Sequence, residues 1–485
     1  MDDFFSSIHE ECGVVGLSLQ NDNDVAAYAY YALYALQHRG QQSAGIAVND
    51  DGVITAHCDE GLVNDVFDES TLASLGTGRM AVGHVRYATT GDDRRVNSQP
   101  LVVNHVKGSL VLAHNGNLTN DAELREELEL QGSIFHTTTD SEVIAYTIIK
   151  ERLNTSSIEE AVSKAMERIE GAYSLVIMSP TKLIAARDPH GFRPLCMGEF
   201  PCGGIAFASE TCALDAMGAH YVRDIEPGEI VVAKNGKITS RREHCGKKKH
   251  ALCVFEYIYF ARPDSYIEGC SVHAARKRAG AFLALEHPVQ ADVVIGVPDS
   301  GIDAALGFSQ QSGIPYGVGF IKNKYIGRTF ISPTQELREN EVKIKLNAIR
   351  SVVEGKRVVL VDDSIVRGTT SRRTVMLLRD AGATEVHMRI SAPPFVNPCY
   401  YGTDIDSKET LIANNHTIPE IAEIIGADSL GYLSLENVTK LAVGCKCGFC
   451  TACFGGGYPT REPSMAKKDR FAYKISESEE HKHGK

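Results

Sequence analysis

The feature that most constrains this chain is an apolar strand that ends in two carboxylates and a turn containing glycine. Residues 358–361 are Val-Val-Leu-Val, which is typical of a strand buried in a parallel sheet. Asp362 and Asp363, the acidic pair, follow directly, at the strand end where open α/β sheets bind their ligands. Hydroxyl residues around Gly368 come next, and the pattern then predicts a helix over about residues 370–381. We therefore expect an α/β domain with a ligand site at this strand end.

The residue types in this turn indicate the chemistry of the ligand. Gly368 can adopt a left-handed backbone, so that N–H groups point at an anion near the positive N-terminus of the helix. The acidic pair cannot itself hold a phosphate, but it suits ribose hydroxyls, Mg²⁺ or positive charge developing on a sugar ring. The expected ligand has a phosphate at one end and a sugar or a metal ion at the other. The alternative is a solvated β–α turn, which the strand before it and the helix after it disfavour.

This stretch resembles the loop with which phosphoribosyltransferases bind phosphoribosylpyrophosphate (PRPP). The resemblance implies that the acidic pair holds the ribose hydroxyls and that the following turn holds the 5′-phosphate. The residues that it assigns to PRPP binding here are Asp362, Asp363, Ser364, Arg367, Gly368, Thr369 and Thr370.

Two further segments match the same pattern. Residues 293–301 predict a strand, a tight turn and a helix. By resemblance this turn meets the pyrophosphate, and the Ser300 hydroxyl joins the acidic pair around Mg²⁺. Residues 322–330 are rich in cations and resemble the mobile loop that closes over PRPP, with Lys322 and Arg328 as PRPP ligands. A solvated loop is the alternative for this last segment.

Composition narrows the class of protein. At 485 residues the chain is long enough for two or three domains. Its formal charge of −12 disfavours nonspecific binding to nucleic acid or to anionic membranes, and no apolar run reaches membrane-spanning length. The first residues lack the basic start of a secretory signal, and thirteen cysteines suggest thiols and metal ligands in a reducing compartment. We therefore expect a cytoplasmic protein whose partners include neither nucleic acid nor a membrane.

Cys12 and a series of polar clusters characterise the first half of the chain. Taken alone, Cys12 is more simply explained as a buried apolar residue at the start of a strand. The clusters that follow it occupy residues 36–45, 84–91, 114–118 and 139–142. In motif and order they resemble the N-terminal-nucleophile glutamine amidotransferase domain, and the match covers roughly residues 12–240.

That resemblance assigns the chemistry of amide hydrolysis to five residues. Cys12 becomes the nucleophile once it is the N-terminal residue, and its freed α-amine, with a pKa of about 8, moves protons. The Asn115 amide and the Gly116 N–H form the oxyanion hole, where one donor is worth about 3–4 kcal/mol. Arg86 binds the α-carboxylate of glutamine and Asp140 its α-ammonium group. Taken singly, Arg86 would be a surface ion pair and Asp140 a helix N-cap; the shared order of motifs favours the functional assignment.

Together these features resemble the glutamine PRPP amidotransferase family in its iron–sulfur, propeptide-bearing form, over about residues 12–462. The resemblance implies a four-layer αββα glutaminase that feeds ammonia through an enclosed path to a type I phosphoribosyltransferase domain, a parallel sheet flanked by helices. The products are 5-phosphoribosylamine, glutamate and pyrophosphate, in the committed step of purine synthesis. The resemblance also implies Mg²⁺, a [4Fe–4S] cluster and a homotetramer inhibited by purine nucleotides.

The expected domain organisation has four parts. A densely charged segment, residues 241–249, is best explained as a solvated linker rather than a nucleic-acid patch, and it sets the main boundary. The tail is rich in Lys, Glu, Ser and His, which predicts disorder. The parts are a propeptide (1–11), the glutamine amidotransferase domain (12–240), the phosphoribosyltransferase domain with its cysteine-rich region (241–465) and the tail (466–485).

The cysteines of the second half predict a metal site with two possible ligand sets. Spacing alone favours a local set, which suits zinc, drawn from Cys445, Cys447, Cys450 and Cys453. The family resemblance instead selects a distributed set around a [4Fe–4S] cluster, namely Cys253, Cys399, Cys450 and Cys453. We predict the distributed set, with Cys447 as the substitute, because joining three distant segments constrains the unfolded chain more than a nine-residue knuckle does.

Two other functions match part of the sequence. A sugar-phosphate aminating synthase or an asparagine synthetase has the same type of glutaminase, but its acceptor does not require the strand with the acidic pair. A PRPP-sensing regulator without catalysis is disfavoured because Cys12, Asn115 and Gly116 are all present and the chain is acidic.

Overall fold

The computed structural model describes residues 12–87, 95–323, 346–405, 407–445 and 447–463. The predicted propeptide and the predicted tail lie outside these ranges, and so does Arg328. No helix within these ranges is long and apolar enough to cross a membrane.

The N-terminal half, residues 12–241, consists mainly of strands. These strands are β1 (Gly13–Asn23), β2 (Ser43–Asp50), β3 (Val53–Glu60), β4 (Gly78–Arg86), β5 (Leu101–His105), β6 (Gly108–Leu118), β7 (Gly171–Ser179), β8 (Lys182–Arg187), β9 (Cys196–Glu199), β10 (Gly204–Ala208), β11 (His220–Asp224), β12 (Ile230–Lys234) and β13 (Lys237–Arg241). The helices are α1 (Val25–Ala35), α2 (Val63–Val66), α3 (Glu69–Ser74), α4 (Asp121–Leu130), α5 (Asp140–Leu153), α6 (Ile158–Ala165) and α7 (Thr211–Met217).

These strands form two stacked antiparallel sheets. One has the order β11-β9-β10-β1-β4-β2-β3 and the other β13-β12-β8-β7-β6-β5. Successive side chains of β1 point to opposite faces of its sheet, and apolar residues lie on both faces. Val14 lies in the apolar layer between the sheets, while Val15 and Leu17 pack under α1 and α7 on the other face. Helices α5 and α6 cover the outer face of the second sheet. The result is the predicted four-layer αββα arrangement.

The C-terminal half, residues 250–463, is built around a smaller sheet. Its strands are β14 (Leu252–Cys253), β15 (Tyr266–Ile267), β16 (Cys270–Ser271), β17 (Val293–Gly296), β18 (Phe320–Lys322), β19 (Leu346–Ala348), β20 (Arg357–Asp362), β21 (Glu385–Ile390), β22 (Ser429–Tyr432) and β23 (Phe449–Cys450). Its helices are α8 (Val272–Glu286), α9 (Ile302–Ser312), α10 (Arg350–Val353), α11 (Thr369–Asp380), α12 (Ile412–Asn415), α13 (Ile418–Ile425) and α14 (Leu435–Val438).

Four parallel strands in the order β17-β20-β21-β22 form the core of this half. Residues 358–361 of β20 are fully buried, which agrees with the apolar run seen in the sequence. Helices α9, α11 and α13 pack against the strands, and α11 starts at Thr369 and ends at Asp380, within a residue of the prediction. The predicted parallel sheet flanked by helices is therefore present.

The chain after Cys253 differs from its predicted structure. The apolar sequence that follows Cys253 predicts a strand that opens at this residue, but β14 ends there and residues 256–260 form a π-helix. The Arg276 guanidinium donates hydrogen bonds to the carbonyl oxygens of Tyr257, Tyr259 and Ala261, at 3.0, 2.8 and 2.6 Å. A side chain thus satisfies backbone groups that a strand would have paired with its neighbour.

Candidate active sites

Cys12 lies at the start of β1, beside the end of β4. The two strands are antiparallel with Gly13 opposite Val85, so Cys12 and Arg86 come from adjacent strand ends. Both side chains are buried, and the Cys12 Sγ lies 3.5 Å from the carbonyl oxygen of Tyr87. The structure therefore brings the predicted nucleophile and the predicted carboxylate-binding guanidinium to one edge of the sheet.

Asn115 and Gly116 lie near the end of β6. Within the described part of the chain, neither the Oδ1 nor the Nδ2 of Asn115 has a hydrogen-bond partner, although the residue is 1% exposed. A buried amide without a partner is costly, which indicates that it faces a site for a ligand. Gly116 has φ +138°, and a Cβ there would lie 2.2 Å from the carbonyl oxygen of Ala172, so only glycine fits.

A hydrogen bond between the two stacked sheets brings these two groups of residues together. The His84 ring lies 3.0 Å from the carbonyl oxygen of His114 and joins β4 to β6. Arg86 follows His84 by two residues, and Asn115 follows His114 directly. The ends of β4 and β6 therefore lie against each other between the two sheets, and Cys12, directly before β1, lies beside the end of β4.

Asp140 is the first residue of α5 and points back toward β6. Its carboxylate accepts a hydrogen bond from the Leu118 N–H at 2.9 Å and lies 3.6 Å from His114 Nδ1. Burial raises the pKa of Asp140, but His114 and the backbone N–H groups outweigh it and hold that pKa below its ordinary value. A buried carboxylate that stays charged suits the ammonium group of an amino acid.

The acidic pair lies at the C-terminal end of β20, as predicted for its strand. Both carboxylates are buried, and Asp363 accepts hydrogen bonds from the hydroxyls of Ser364 and, at 2.6 Å, Ser300. Burial and the neighbouring Asp363 carboxylate raise the pKa of Asp362 well above its ordinary value. The raised pKa reflects repulsion between the two negative charges. A cation, or a positive charge that develops during a reaction, would relieve this repulsion and is therefore favoured at this site.

The turn after the acidic pair has the geometry of an anion site. Gly368 has φ +83° at the start of α11, and a Cβ there would lie 2.8 Å from Ile412 Cδ1. Arg367, Thr369 and Thr370 are exposed at this end of the helix. The backbone N–H groups and the hydroxyls of the first turn therefore lie open to a ligand at the positive end of the helix dipole.

The loop after β17 closes the same site from the neighbouring strand. Ser300 lies in this loop, and the peptide between Pro298 and Asp299 is cis. Lys322 on β18 forms an ion pair with Asp299 at 2.9 Å. Ser300 and Lys322 thus lie at the end of the sheet that holds the acidic pair.

Four cysteines from three segments line one cavity, together with aromatic side chains. They are the predicted distributed set, Cys253, Cys399, Cys450 and Cys453. Cys253 and Cys450 are register partners in the parallel pair formed by β14 and β23. Burial raises the pKa of the Cys450 thiol to about 12, and burial together with the three neighbouring cysteines raises the pKa of Cys453 well above its ordinary value.

The local set is not assembled. Cys445 and Cys447 are joined by a disulfide, and neither of them lines the cavity. Over the described ranges, no three His, Cys, Asp or Glu side chains are grouped so that they could hold a single metal ion.

A buried ion-pair network between the two halves was not predicted from the sequence. Arg39 lies between Glu210 of the N-terminal half and Glu256 of the C-terminal half. All three side chains have 0% exposure. The signal that could have revealed it is a charged residue in a segment otherwise suited to burial, as Glu256 is between Phe255 and Tyr257.

The two sites define a class of protein, a glutamine amidotransferase joined to a phosphoribosyltransferase. A family model described as a glutamine amidotransferase domain matches residues 84–216. A second, described as a phosphoribosyl transferase domain, matches residues 273–408.

Whole-chain similarity identifies the family. The chain is 52% identical over 463 residues to the amidophosphoribosyltransferase of Methanocaldococcus jannaschii, covering 93% of this chain and 98% of that one. It is 49% identical to the Bacillus subtilis amidophosphoribosyltransferase, covering 93% and 95%. A solved structure of the B. subtilis PRPP amidotransferase, complexed with ADP and GMP, superposes with a TM-score of 0.86 at 48% identity and covers 94% and 98%. The chain therefore belongs to the amidophosphoribosyltransferase family.

The predicted fold class and the predicted function are thereby confirmed. The chain is a transferase that uses glutamine to aminate PRPP, a reaction of purine biosynthesis. The aminating synthases, asparagine synthetase and the non-catalytic regulator are set aside, because none of them accounts for both domains together with this similarity.

Proposed function

We propose that glutamine is hydrolysed at Cys12 after residues 1–11 are removed. The observation that supports this best is the buried Asn115 amide, which has no partner in the described part of the chain. It lies on β6, which a hydrogen bond between the two sheets joins to β4, the strand of Arg86. The Cys12 α-amine takes the thiol proton as the sulfur adds to the side-chain carbonyl of glutamine, and the Asn115 Nδ2 and Gly116 N–H hold the resulting oxyanion. The α-amine then passes this proton to the amide nitrogen as the C–N bond breaks and ammonia leaves, and water hydrolyses the thioester to glutamate and the free thiol.

Arg86 and Asp140 bind the two charges of the substrate in this proposal. The Arg86 guanidinium pairs with the α-carboxylate, and the Asp140 carboxylate pairs with the α-ammonium group. Both are buried, so these charge-assisted contacts are shielded from water and orient the amide toward Cys12.

Ammonia then attacks C1 of PRPP at the second site, and pyrophosphate leaves. Asp362 and Asp363 hold the ribose hydroxyls and stabilise the positive charge that develops on the sugar. The 5′-phosphate is bound by the turn from Ser364 to Thr370, and Lys322 and Arg328 contact the pyrophosphate. The acidic pair and Ser300 fit Mg²⁺, because the Asp363 carboxylate and burial raise the pKa of Asp362, and two buried carboxylates that repel one another favour a cation. The ion would neutralise charge on the leaving pyrophosphate.

The C-terminal half contacts the end of the strand that carries the oxyanion residues. The Asn117 amide, one residue beyond the oxyanion glycine, donates to the carbonyl oxygen of Tyr400 at 3.2 Å. A Cβ placed on Gly402 would lie 3.5 Å from the Gly116 carbonyl carbon. The C-terminal half therefore covers the end of β6, which supports an enclosed path for ammonia.

The cysteine cavity fits a [4Fe–4S] cluster held by Cys253, Cys399, Cys450 and Cys453. Four thiols line one cavity but do not group around one ion, as expected when each sulfur binds a different iron. The cluster would cross-link the three segments, and these cysteines fix its position at the junction of the halves. The four cysteines of this cavity support the proposal that the chain is of the iron–sulfur type of this family.

Purine nucleotides are proposed as inhibitors, since the similar B. subtilis structure was solved with ADP and GMP. We also propose a homotetramer, as the sequence resemblance implies. A cytoplasmic location is supported by the eleven free cysteines of the described chain, which suit a reducing compartment.

The substitution Cys12→Ala tests the two-site proposal. Glutamine-dependent formation of phosphoribosylamine should be abolished, while the reaction with free ammonia continues at the wild-type rate. Cys58→Ala is the control, because burial raises the pKa of the Cys58 thiol to about 12 and keeps it protonated, so both reactions should survive. Equal loss of both reactions in Cys12→Ala would contradict the proposal.

A further inference from the structure

The buried network between the halves connects directly to the nucleophile. Arg39 Nη1 donates to Glu210 at 2.6 Å, and its Nη1 and Nη2 donate to Glu256 at 3.0 and 2.7 Å. The third nitrogen of the guanidinium group, Nε, donates to the carbonyl oxygen of Cys12 at 3.2 Å. The guanidinium therefore binds the backbone carbonyl group of the catalytic residue.

Stability alone does not explain this network. Burying ions costs solvation energy, and well-packed apolar residues often stabilise a protein as well as a buried ion pair does. Glu210 is nevertheless held on several sides, by Ser265 Oγ at 2.7 Å, by the Arg262 N–H at 2.9 Å and by the His38 ring at 2.7 Å. A network this complete fixes the guanidinium of Arg39 in one orientation.

Glu256 is in turn fixed by the phosphoribosyltransferase half. It is the first residue of the π-helix, a type of irregularity that is frequent at functional sites. Three carbonyl oxygens from this segment accept hydrogen bonds from Arg276, which is buried and lies within electrostatic range of Asp363. The position of the Glu256 carboxylate thus depends on the framework around the acidic pair.

We propose that Glu256 is a positioning residue for glutamine hydrolysis, and that it acts through Arg39 on the carbonyl group of Cys12. When residues 1–11 are absent, Cys12 is attached to the chain only through this carbonyl group. Its hydrogen bond to Arg39 sets the plane of the Cys12–Gly13 peptide, and with it the direction of the Cys12 Cα–Cβ bond. The glutaminase half is therefore fully active only when the other half supplies Glu256. This inference rests on Cys12 being the nucleophile, which Cys12→Ala tests separately.

The substitution Glu256→Gln tests the proposal because it keeps the shape of the side chain and removes its charge. Mass spectrometry gives the fraction of chains that have Cys12 at the N-terminus, and kcat is expressed per such chain. The kcat of the glutamine-dependent reaction should fall about tenfold or more. The KM for glutamine and the rate with free ammonia should both stay within about twofold. A general loss of folded protein would also lower kcat without changing KM, but it would lower the ammonia-dependent rate by the same factor. The retained ammonia reaction therefore distinguishes a positioning role from misfolding.

Glu268→Gln is the matched control. It removes another ion pair between the halves, that of Glu268 with the buried Arg187 at 2.6 Å, and the described contacts of that pair do not include Cys12. Its glutamine-dependent kcat should match that of the wild type. An equal fall in this control, an unchanged kcat in Glu256→Gln or an equal loss of the ammonia reaction would each overturn the proposal.

A second variant decides the question if Glu256→Gln does not fold. Arg39→Lys keeps a positive charge between the two carboxylates but has one nitrogen, which cannot serve Glu210, Glu256 and the Cys12 carbonyl group together. The same fall in kcat is expected, as is slower alkylation of Cys12 by a reactive glutamine analogue at saturating concentration. Alkylation and kcat at wild-type levels in this variant would refute the positioning role.

Discussion

The substitution Asn115→Leu gives a sharp test of the oxyanion site, because stability and activity should change in opposite directions. Leucine has the same branching as asparagine but no polar atom, and both polar atoms of the Asn115 side chain lack partners in the described structure. An unsatisfied buried polar group costs about 1–3 kcal/mol, so the substitution should stabilise the ligand-free protein by about 2 kcal/mol. For a domain of this size that raises Tm by about 4–8 °C.

Activity should fall in the same variant. Removing one donor from an oxyanion hole costs about 3–4 kcal/mol in the transition state, or a factor of about 10²–10³ in kcat. The glutamine-dependent kcat should therefore fall by this factor, while the reaction with ammonia is unchanged. Circular dichroism measures the change in Tm during thermal unfolding of the ligand-free protein. Steady-state kinetics with glutamine and with ammonia as the nitrogen source measure the change in kcat.

Asn49→Leu is the control for this prediction. Asn49 is also 1% exposed, but its amide donates to the Ser179 carbonyl oxygen at 3.1 Å and accepts from the Gly52 N–H at 2.7 Å. Its replacement leaves both partners unsatisfied and should destabilise the protein by about 2 kcal/mol or more, with no change in the catalytic step. If Asn115→Leu destabilised the protein as much as Asn49→Leu does, or left kcat intact, the oxyanion assignment would be wrong.

Two further substitutions test the second site and the cysteine cavity. Asp363→Asn should lower turnover about 10²-fold or more with little change in the Kd of PRPP, because its interaction with the sugar strengthens in the transition state; equilibrium binding and kcat measured with ammonia distinguish this from a loss of affinity alone. Cys253→Ser and Cys399→Ser should each lose cluster iron and sulfide and unfold at a lower temperature, whereas Cys447→Ser should retain both. Full iron content in Cys253→Ser or Cys399→Ser, together with its loss in Cys447→Ser, would reverse the ligand assignment.

The features that could be predicted from the sequence are those in which consecutive residues share one local environment, such as a buried strand or a turn. Four apolar residues followed by the acidic pair specify a buried strand and its polar end, and the structure places both within β20. Gly368 takes the left-handed φ that its place before a helix suggests. The glutaminase residues were found by motif order rather than by periodicity, because each of them alone is compatible with an ordinary structural role.

Contacts between distant segments explain where sequence reasoning failed or stopped. The stretch after Cys253 is apolar enough for a strand, but Arg276 on α8 binds its carbonyl groups and a π-helix forms. Spacing favoured Cys445 and Cys447 as ligands because they are near in sequence. The fold instead pairs them with each other and gathers Cys253, Cys399 and Cys450 in one cavity.

By itself, the sequence determined the two domain types, the strand with the acidic pair and the candidate catalytic residues, since local pattern and motif order suffice for these. Only the tertiary structure decided which thiols share a cavity and that Arg39, Glu256 and Cys12 are connected. More than 200 residues separate Glu256 from Arg39, as their sequence separation of 217 shows. Periodicity reports how deeply a residue is buried, whereas the identity of its partner depends on how the two halves dock, and no local pattern encodes that.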